Sequence, residues 1–458
     1  MGKQYWEECE WRSAGNNFTE WVIEISDKPG EEEAEPAFKE PVYASPRNLV
    51  TNYLILQYIG NVHGDEPVGR ELLLFLANWI CDNYLEDPLA IRFDEAMFMH
   101  TPVMQYCVAR TIVENVHLHI LPSMNPDGFS LRRRGNANNV DLNRDFPDQF
   151  FLINDDVNVR QPETMAVMSW LRKIHFTASA SLHGGALVAN YPWDGTWDKR
   201  TTYFGCPDDE TFQFMASTYS RSHYNMSLSK EFKGGITNGA AWYPIYGGMQ
   251  DWNYIHSGCF ELTLEISDNK WPSANELLNG SSSLPYVNMQ LPTLWKYNKM
   301  SMLNLVASLV KTGVHGRIFS SDSGRPLPGS ITVKGINLTV KAGRTFADYH
   351  RLLAPGGRYE VIANMPGYKS RNTCIWLEEA AMTLDFVLDP EVILMGNLPR
   401  SGYPSRLEFV DFLWGSHLRV FVILMIVVGF LYLLLLRRRN TNLSKHRHLG
   451  GQKIAGGV

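Results

Sequence analysis

The sequence predicts an α/β domain, then a small all-β domain, then a membrane-spanning helix. Three observations carry that division. Between Trp21 and Lys311, β-type apolar runs alternate with helix-type stretches, as in a sheet covered by helices. From Gly313 to about Pro390 the pattern changes to short strands punctuated by Gly and Pro, which indicates a β-sandwich. Leu418 to Leu436 is almost unbroken apolar sequence, long enough to cross a hydrocarbon layer about 30 Å thick.

With 458 residues, 45% of them hydrophobic, the chain can bury more than one core, so it is not a disordered protein. The formal charge of -6 argues against a nucleic-acid partner, whose phosphates call for a basic excess, and remains compatible with a basic small substrate. Six cysteines without CxxC pairs indicate neither a zinc ribbon nor a dense disulfide scaffold.

In chain order, Trp21-Val-Ile-Glu-Ile-Ser26 alternates as a strand does, Lys28-Pro-Gly30 breaks it, and Glu31 to Glu33 lies in a solvated loop. A β-type run from Tyr53 to Ile59 turns through Gly60 and Asn61, presents His63 and Glu66, and leads into a helix-type run from Glu71 to Leu85. An imidazole and a carboxylate three positions apart at such a junction can turn toward one point. Zn²⁺ accepts a His₂Glu set and keeps a fourth position for water. Taken alone, H-x-x-E is a weak motif that an ordinary surface loop imitates.

Glu86 to His100 reads as polar and irregular, Val116 to Asn125 as a second strand, and Asn125-Pro-Asp-Gly128 as a tight turn. Arg132-Arg-Arg134 reads equally well as an exposed basic loop. But Asn143-Arg144 stands beside aromatic and proline residues that suggest a fixed conformation, where a guanidinium group offers a fork for a carboxylate, a candidate substrate anchor. Gln161-Pro-Glu163 starts a helix whose body is Thr164 to Ile174. Ala178 to His183 is a strand of small residues followed by two glycines that permit close backbone approach, making His183 the candidate third ligand. After Asn190 to Asp194, the Gly- and aromatic-rich stretch from Asn238 to Tyr254 reads as a long ordered loop lining a pocket. Cys259 to Asp268 alternates with period two and carries Glu261, Thr263 and Glu265, and a carboxylate inside an apolar strand needs a partner or a task. Leu294 to Lys311 is a helix closing the first domain. Beyond it, strands are expected at Gly316 to Phe319, Ser330 to Lys334, Asn337 to Val340, Arg358 to Ala363 and Thr383 to Leu388.

Residues 391–417 read as a juxtamembrane connector, 418–436 as the span, and 437–458, opening on Arg437-Arg438-Arg439, as a cytoplasmic tail under the positive-inside rule. That makes a single-pass type I protein of the cell surface or secretory route, Golgi included, with its catalytic domain lumenal. Sequons at Asn17, Asn225, Asn279 and Asn337 agree. Met1 to Gly15 shows no apolar signal-peptide core, so a missing N-terminus is expected.

The dispersed motifs HGDEPVGREL, MNPDGF, VDLNRDFPD, SLHGG, the Tyr243 loop and FELTLEISD stand in one order. Through them the chain, over roughly Trp21 to Pro390, resembles the zinc metallocarboxypeptidases. It is most like the regulatory branch that includes carboxypeptidases D, E, M and N. The resemblance implies a mixed-sheet catalytic domain (1–311) followed by a transthyretin-like β-sandwich (312–390). The C-terminal span is most like carboxypeptidase D, with one catalytic repeat here instead of several. It also implies one Zn²⁺ on His63, Glu66 and His183, Glu265 rather than Glu261 as general base, and Arg134 polarising the scissile carbonyl. Asn143, Arg144 and Tyr243 hold the substrate's free α-carboxylate, and Asp194 sits in the pocket for a basic terminal side chain. The expected reaction is removal of C-terminal Arg or Lys from peptides and proteins, as in prohormone processing. The alternatives are a carboxypeptidase of broader specificity and a catalytically silent peptide-binding or adhesion protein. Relatives carry a strand and helix ahead of Trp21 and run almost directly into Tyr58, so a truncated N-terminus and an insertion at 40–57 are also expected.

Overall fold

A computed structural model of the protein describes residues 9–15, 18–26, 54–84, 102–151, 159–272 and 290–391. The first part of the chain runs β1 (Cys9–Gly15), β2 (Phe18–Ile25), β3 (Leu54–Gly60), α1 (Val68–Asn83), α2 (Pro102–Asn115), β4 (Val116–Leu121), α3 (Pro126–Leu131) and α4 (Pro162–Lys173). It continues β5 (Ala178–His183), β6 (Ala186–Tyr191), α5 (Asp209–Ser222), β7 (Ile236–Asn238), α6 (Gly239–Trp242), α7 (Met249–Ser257), β8 (Phe260–Ser267) and α8 (Gln290–Val310). The strands form one mixed sheet in the order β1-β2-β4-β3-β5-β8-β6-β7. At its centre β4, β3, β5 and β8 are parallel. Central strands of such sheets are covered on both faces, and β4, β5 and β8 are buried along their whole length.

The two faces differ in chemistry. Leu54, Leu56, Tyr58, Leu118, Ile120, Leu182, Leu262 and Leu264 point to one side and join Leu72, Leu76, Phe212, Leu305 and Leu309 of α1, α5 and α8 in the larger core. The opposite face meets α4 and α7 through Val167, Met168, Trp170, Leu171, Met249 and Trp252. Strand alternation sends the buried polar residues Gln57, His117, His119, Ser179, Ser181, Glu261 and Thr263 to that second face.

The second part runs β9 (Val314–Ser320), β10 (Ser330–Val333), β11 (Ile336–Lys341), β12 (Asp348–Arg351), β13 (Gly357–Asn364), β14 (Arg371–Leu377), β15 (Met382–Thr383) and β16 (Phe386–Leu388). One sheet has the order β11-β10-β13-β14. The other has β12-β9-β15, with β16 also on β9. Val314, Ile318, Ile331, Val361, Leu377 and Phe386 from both sheets share one apolar cluster.

Three expectations change. Asn125 to Gly128 is not a free turn but the start of α3: the Asn125 side chain accepts from the Gly128 N–H at 2.8 Å and Pro126 opens the helix. The Asn238 to Tyr254 stretch contains α6 and α7, because Asn238 and Gly248 act as helix N-caps inside what composition reads as loop. The strand expected from Thr383 to Leu388 is two, β15 and β16, which pair with successive parts of β9. Of the stretch 40–57, residues 54–57 open central strand β3 and the rest lie outside the described residues. The polar segment 86–100, the Asn279 sequon and everything after Glu391, the expected span included, lie outside them too. Among the described residues no helix is long and apolar enough to cross a membrane. Cys81 is disulfide-bonded, while Cys206, Cys259 and Cys374 are free thiols.

Candidate active site

The site forms where the parallel strands end. Gly60, last in β3, is the register partner of Leu182 in β5, and His183 pairs with Glu265 in β8. Residues far apart in sequence therefore meet at one edge of the sheet, where ligands of open α/β sheets bind. Between β3 and α1 the loop is held by Asn61, which adopts a positive φ of 53°. Its side-chain amide donates to the carbonyls of His63 at 2.8 Å and Glu66 at 3.4 Å. A second loop packs on the first: the N–H of Gly64 donates to the Arg134 carbonyl at 3.2 Å, and Asn125 Nδ2 donates to Val62 and Arg134 carbonyls. A Cβ on Gly64 would stand 2.0 Å from the Gly128 carbonyl carbon. Gly64→Ala is thus expected to destabilise the protein by about 1–3 kcal/mol through overpacking and to weaken zinc retention, checked by denaturant unfolding and metal analysis.

His63, Glu66 and His183 are all buried and form a group able to hold a metal ion. Their facing atoms make a near-equilateral triangle: His63 Nδ1 to Glu66 Oε2 2.9 Å, His183 Nδ1 to Glu66 Oε2 3.0 Å, and His63 Nδ1 to His183 Nδ1 3.1 Å. Tetrahedral zinc with bonds of about 2.0–2.1 Å separates its ligand atoms by about 3.3 Å, so the residues present fit Zn²⁺. Burial works against ionisation of Glu66, but hydrogen bonds with both histidines hold its carboxyl well below the usual range.

A supporting shell orients the ligands. Asp141 takes His63 Nε2 at 3.1 Å with one oxygen and Arg134 Nε at 2.8 Å with the other. Lys270 Nζ donates to Glu66 Oε1 at 2.7 Å, and the Gly184 N–H donates to Glu66 Oε2 at 3.2 Å.

Around this group lies a pocket lined also by Arg134, Asn143, Arg144, Asp194, Tyr243 and Glu265, so the structure brings every sequence-predicted site residue to one place. Arg134 and Tyr243 are partly exposed at its mouth. Asn143 is buried and pinned, its side-chain oxygen accepting from the Met249 N–H at 2.9 Å. Glu265 is buried, and Oε2 has no hydrogen-bond partner among the described residues. Burial and the facing Glu66 push its carboxyl up to about 8.

Asp194 is 2% exposed. Its Oδ1 accepts from Asn190 Nδ2 and Gln250 Nε2, each at 3.1 Å, while Oδ2 has no partner among the described residues. Burial raises its carboxyl to about 6 and raises neighbouring Asp251, which accepts the Asp194 N–H, well above the usual range.

Asp141, Lys270, Gln250, Asn190 and Asp251 were not legible as site residues. Asp141 lies inside the VDLNRDFPD motif, two residues before Asn143, and Lys270 is five positions past Glu265. Gln250 opens a helix that composition reads as loop, so nothing local marks it.

Residues 16–282 match the family described as zinc carboxypeptidase, peptidase M14. The chain is 60% identical over 445 residues to carboxypeptidase SOL1 of Arabidopsis thaliana, covering 96% of this chain and 80% of that protein. It is 38% identical over 390 residues to human carboxypeptidase D, covering 80% of this chain but 24% of that protein, so it spans about a quarter of that relative's length. To the catalytic chain of mouse carboxypeptidase N it is 34% identical over 408 residues, covering 80% of this chain and 78% of that one. The chain belongs to the zinc carboxypeptidases, as a metallocarboxypeptidase of the branch that holds carboxypeptidases D and N.

Proposed function

We propose that this carboxypeptidase removes C-terminal Arg or Lys from peptides and proteins. The observation that carries the specificity is Asp194: a buried carboxylate in the pocket with one oxygen held by two amides and the other free to meet a cation. An apolar terminal side chain would leave that charge unpaired, which disfavours Leu and Phe.

His63, Glu66 and His183 hold the Zn²⁺. When bound, the ion lowers the pKa of a coordinated water and polarises a carbonyl oxygen. Glu265 takes a proton from the attacking water and delivers it to the departing amine nitrogen. Arg134 donates to the scissile carbonyl oxygen as negative charge develops there. Asn143, Arg144 and Tyr243 anchor the free α-carboxylate, which confines cleavage to the last peptide bond. The division into a catalytic domain (1–311) and a transthyretin-like sandwich (312–390) is part of the same reading. So is a membrane anchor at Leu418 to Leu436, which rests on composition and the following arginines.

The test is hydrolysis of matched peptides ending in Arg, Lys, Leu and Phe. Arg and Lys are expected to lead, and Asp194→Asn to cut kcat/KM for them by about 30-fold or more, the equivalent of about 2 kcal/mol. Preference for Leu or Phe in the unmodified enzyme sinks the assignment. A pH dependence follows from the same group. As pH falls through about 6, Asp194 takes up a proton and loses its charge, so KM for the Arg peptide rises there while the Asp194→Asn enzyme lacks that rise.

A further inference from the structure

We infer that the protein carries a second zinc-binding site, made by Glu24, His117 and His119, that clamps the edge hairpin β1–β2 to the central sheet. Among the described residues, this trio and the active-site trio are the groups of His, Cys, Asp or Glu able to hold a metal ion. Its ligand atoms lie within 4.8 Å of one another, and His117 Nδ1 is 3.6 Å from Glu24 Oε1. Each residue is 6% exposed.

The register explains the gathering. Glu24 of β2 is the direct partner of His119 in β4. His117, two positions away, projects from the same face of β4. The His119 ring is positioned by edge contacts with Phe176 at 5.2 Å and Trp170 at 5.9 Å. Gln57 of β3 pairs with His119 from the other side. It is completely buried, and neither its Nε2 nor its Oε1 has a partner among the described residues. The two imidazoles and the carboxylate are the His₂Glu donor type that Zn²⁺ accepts with a further position left open, and Gln57 brings an unpartnered polar side chain to the same face of the sheet.

The place is distinct from the active site. Ser179, which shares a row with Gln57 and His119, is four residues before His183, so the two sites are separated by about 13 Å along the strands. What a metal would do there follows from the topology. β2 meets β4 through only three residue pairs, Ile23–Ile120, Glu24–His119 and Ile25–Leu118. An ion bound by ligands from both strands adds a cross-link to a ladder only three pairs long, and metal binding to the folded state stabilises it.

The experiment is metal analysis of the full chain equilibrated with micromolar free Zn²⁺. The unmodified protein is expected to hold about two ions, and the His63→Ala/His183→Ala chain about one. His117→Gln and Glu24→Gln are each expected to fall to about one ion, to keep kcat/KM unchanged, and to lose the part of the thermal midpoint that rises with added zinc. About one ion in the unmodified protein overturns the inference, as do two ions in an active His117→Gln enzyme. If the Gln variants fail to fold, the His63→Ala/His183→Ala chain decides, since it leaves the second trio untouched: one ion supports the inference and none refutes it.

Discussion

Glu265→Gln is expected to lower kcat by about 10²–10⁴-fold while the enzyme keeps its zinc and its fold. Glutamine fills the same volume but cannot accept the proton that Glu265 would take. Glu265 is the register partner of His183 at the end of β8 and stands in the pocket beside the metal ligands without belonging to the ligand triangle. Its buried, unpartnered oxygen has no structural hydrogen bond to lose. Metal analysis and unfolding should therefore be unchanged while turnover collapses. If kcat survived within a few-fold, the base would have to be sought elsewhere. Glu261→Gln is the matching control: that carboxyl accepts a hydrogen bond from Asn253 and sits four residues deeper in the strand, so its replacement leaves the chemistry intact.

The largest effect on stability is expected at Arg351. It is completely buried, and its Nη2 donates to both oxygens of Asp208, at 2.6 and 2.8 Å. Nη1 donates to the Leu352 carbonyl at 2.7 Å, and the guanidinium lies 5.3 Å from the centroid of the Phe260 ring. Asp208, just before α5, also accepts from Tyr254 Oη at 2.7 Å. Arg351 belongs to β12 and Asp208 to the larger part of the chain, so this pair joins the sandwich to the sheet that carries the active site. The Ala354 N–H to Thr211 Oγ1 bond, at 3.1 Å, lies beside it. Arg351→Ala leaves a buried carboxylate without its counter-charge, a change that costs about 3–5 kcal/mol. Denaturant unfolding measures it. Adding Asp208→Asn to Arg351→Ala should recover part of the loss, because a neutral amide needs no counter-charge. A double variant no better than the single one would mean that lost packing, not the stranded charge, dominates.

Local patterns carried much of the reading. β2, β3, β5 and β8 are visible as alternating or apolar runs because side-chain period and burial are encoded residue by residue. α4 announces itself by Gln161-Pro162, and α8 by its length. His183 is marked as a candidate because it ends a strand of small residues and meets two glycines, whereas His63, in a motif that a surface loop imitates, gains weight only beside the other motifs. Where local composition and tertiary context disagreed, context prevailed. α7 looks like loop because its surroundings are rich in Gly and Tyr, yet Met249 and Trp252 bury against the second face and make it a helix. α3 is hidden because Asn, Pro, Asp and Gly are also turn residues, and only the Asn125 cap distinguishes the two.

Motifs and their order along the chain were enough, through the family resemblance they carry, to mark an α/β metallocarboxypeptidase and to single out His63, Glu66 and His183 as candidate ligands, since chemistry of that kind resides in the side chains themselves. Pairing lay beyond it. Which strand neighbours which sets Glu265 rather than Glu261 beside His183, places Asp141 between His63 and Arg134, turns Asp194 inward onto Gln250, and gathers Glu24 with His117 and His119. Those relations join residues through strand register, loop packing and burial over separations of up to 95 positions, from Glu24 to His119. No local periodicity encodes them, because they exist only once the folded sheet has brought its strand ends and faces together.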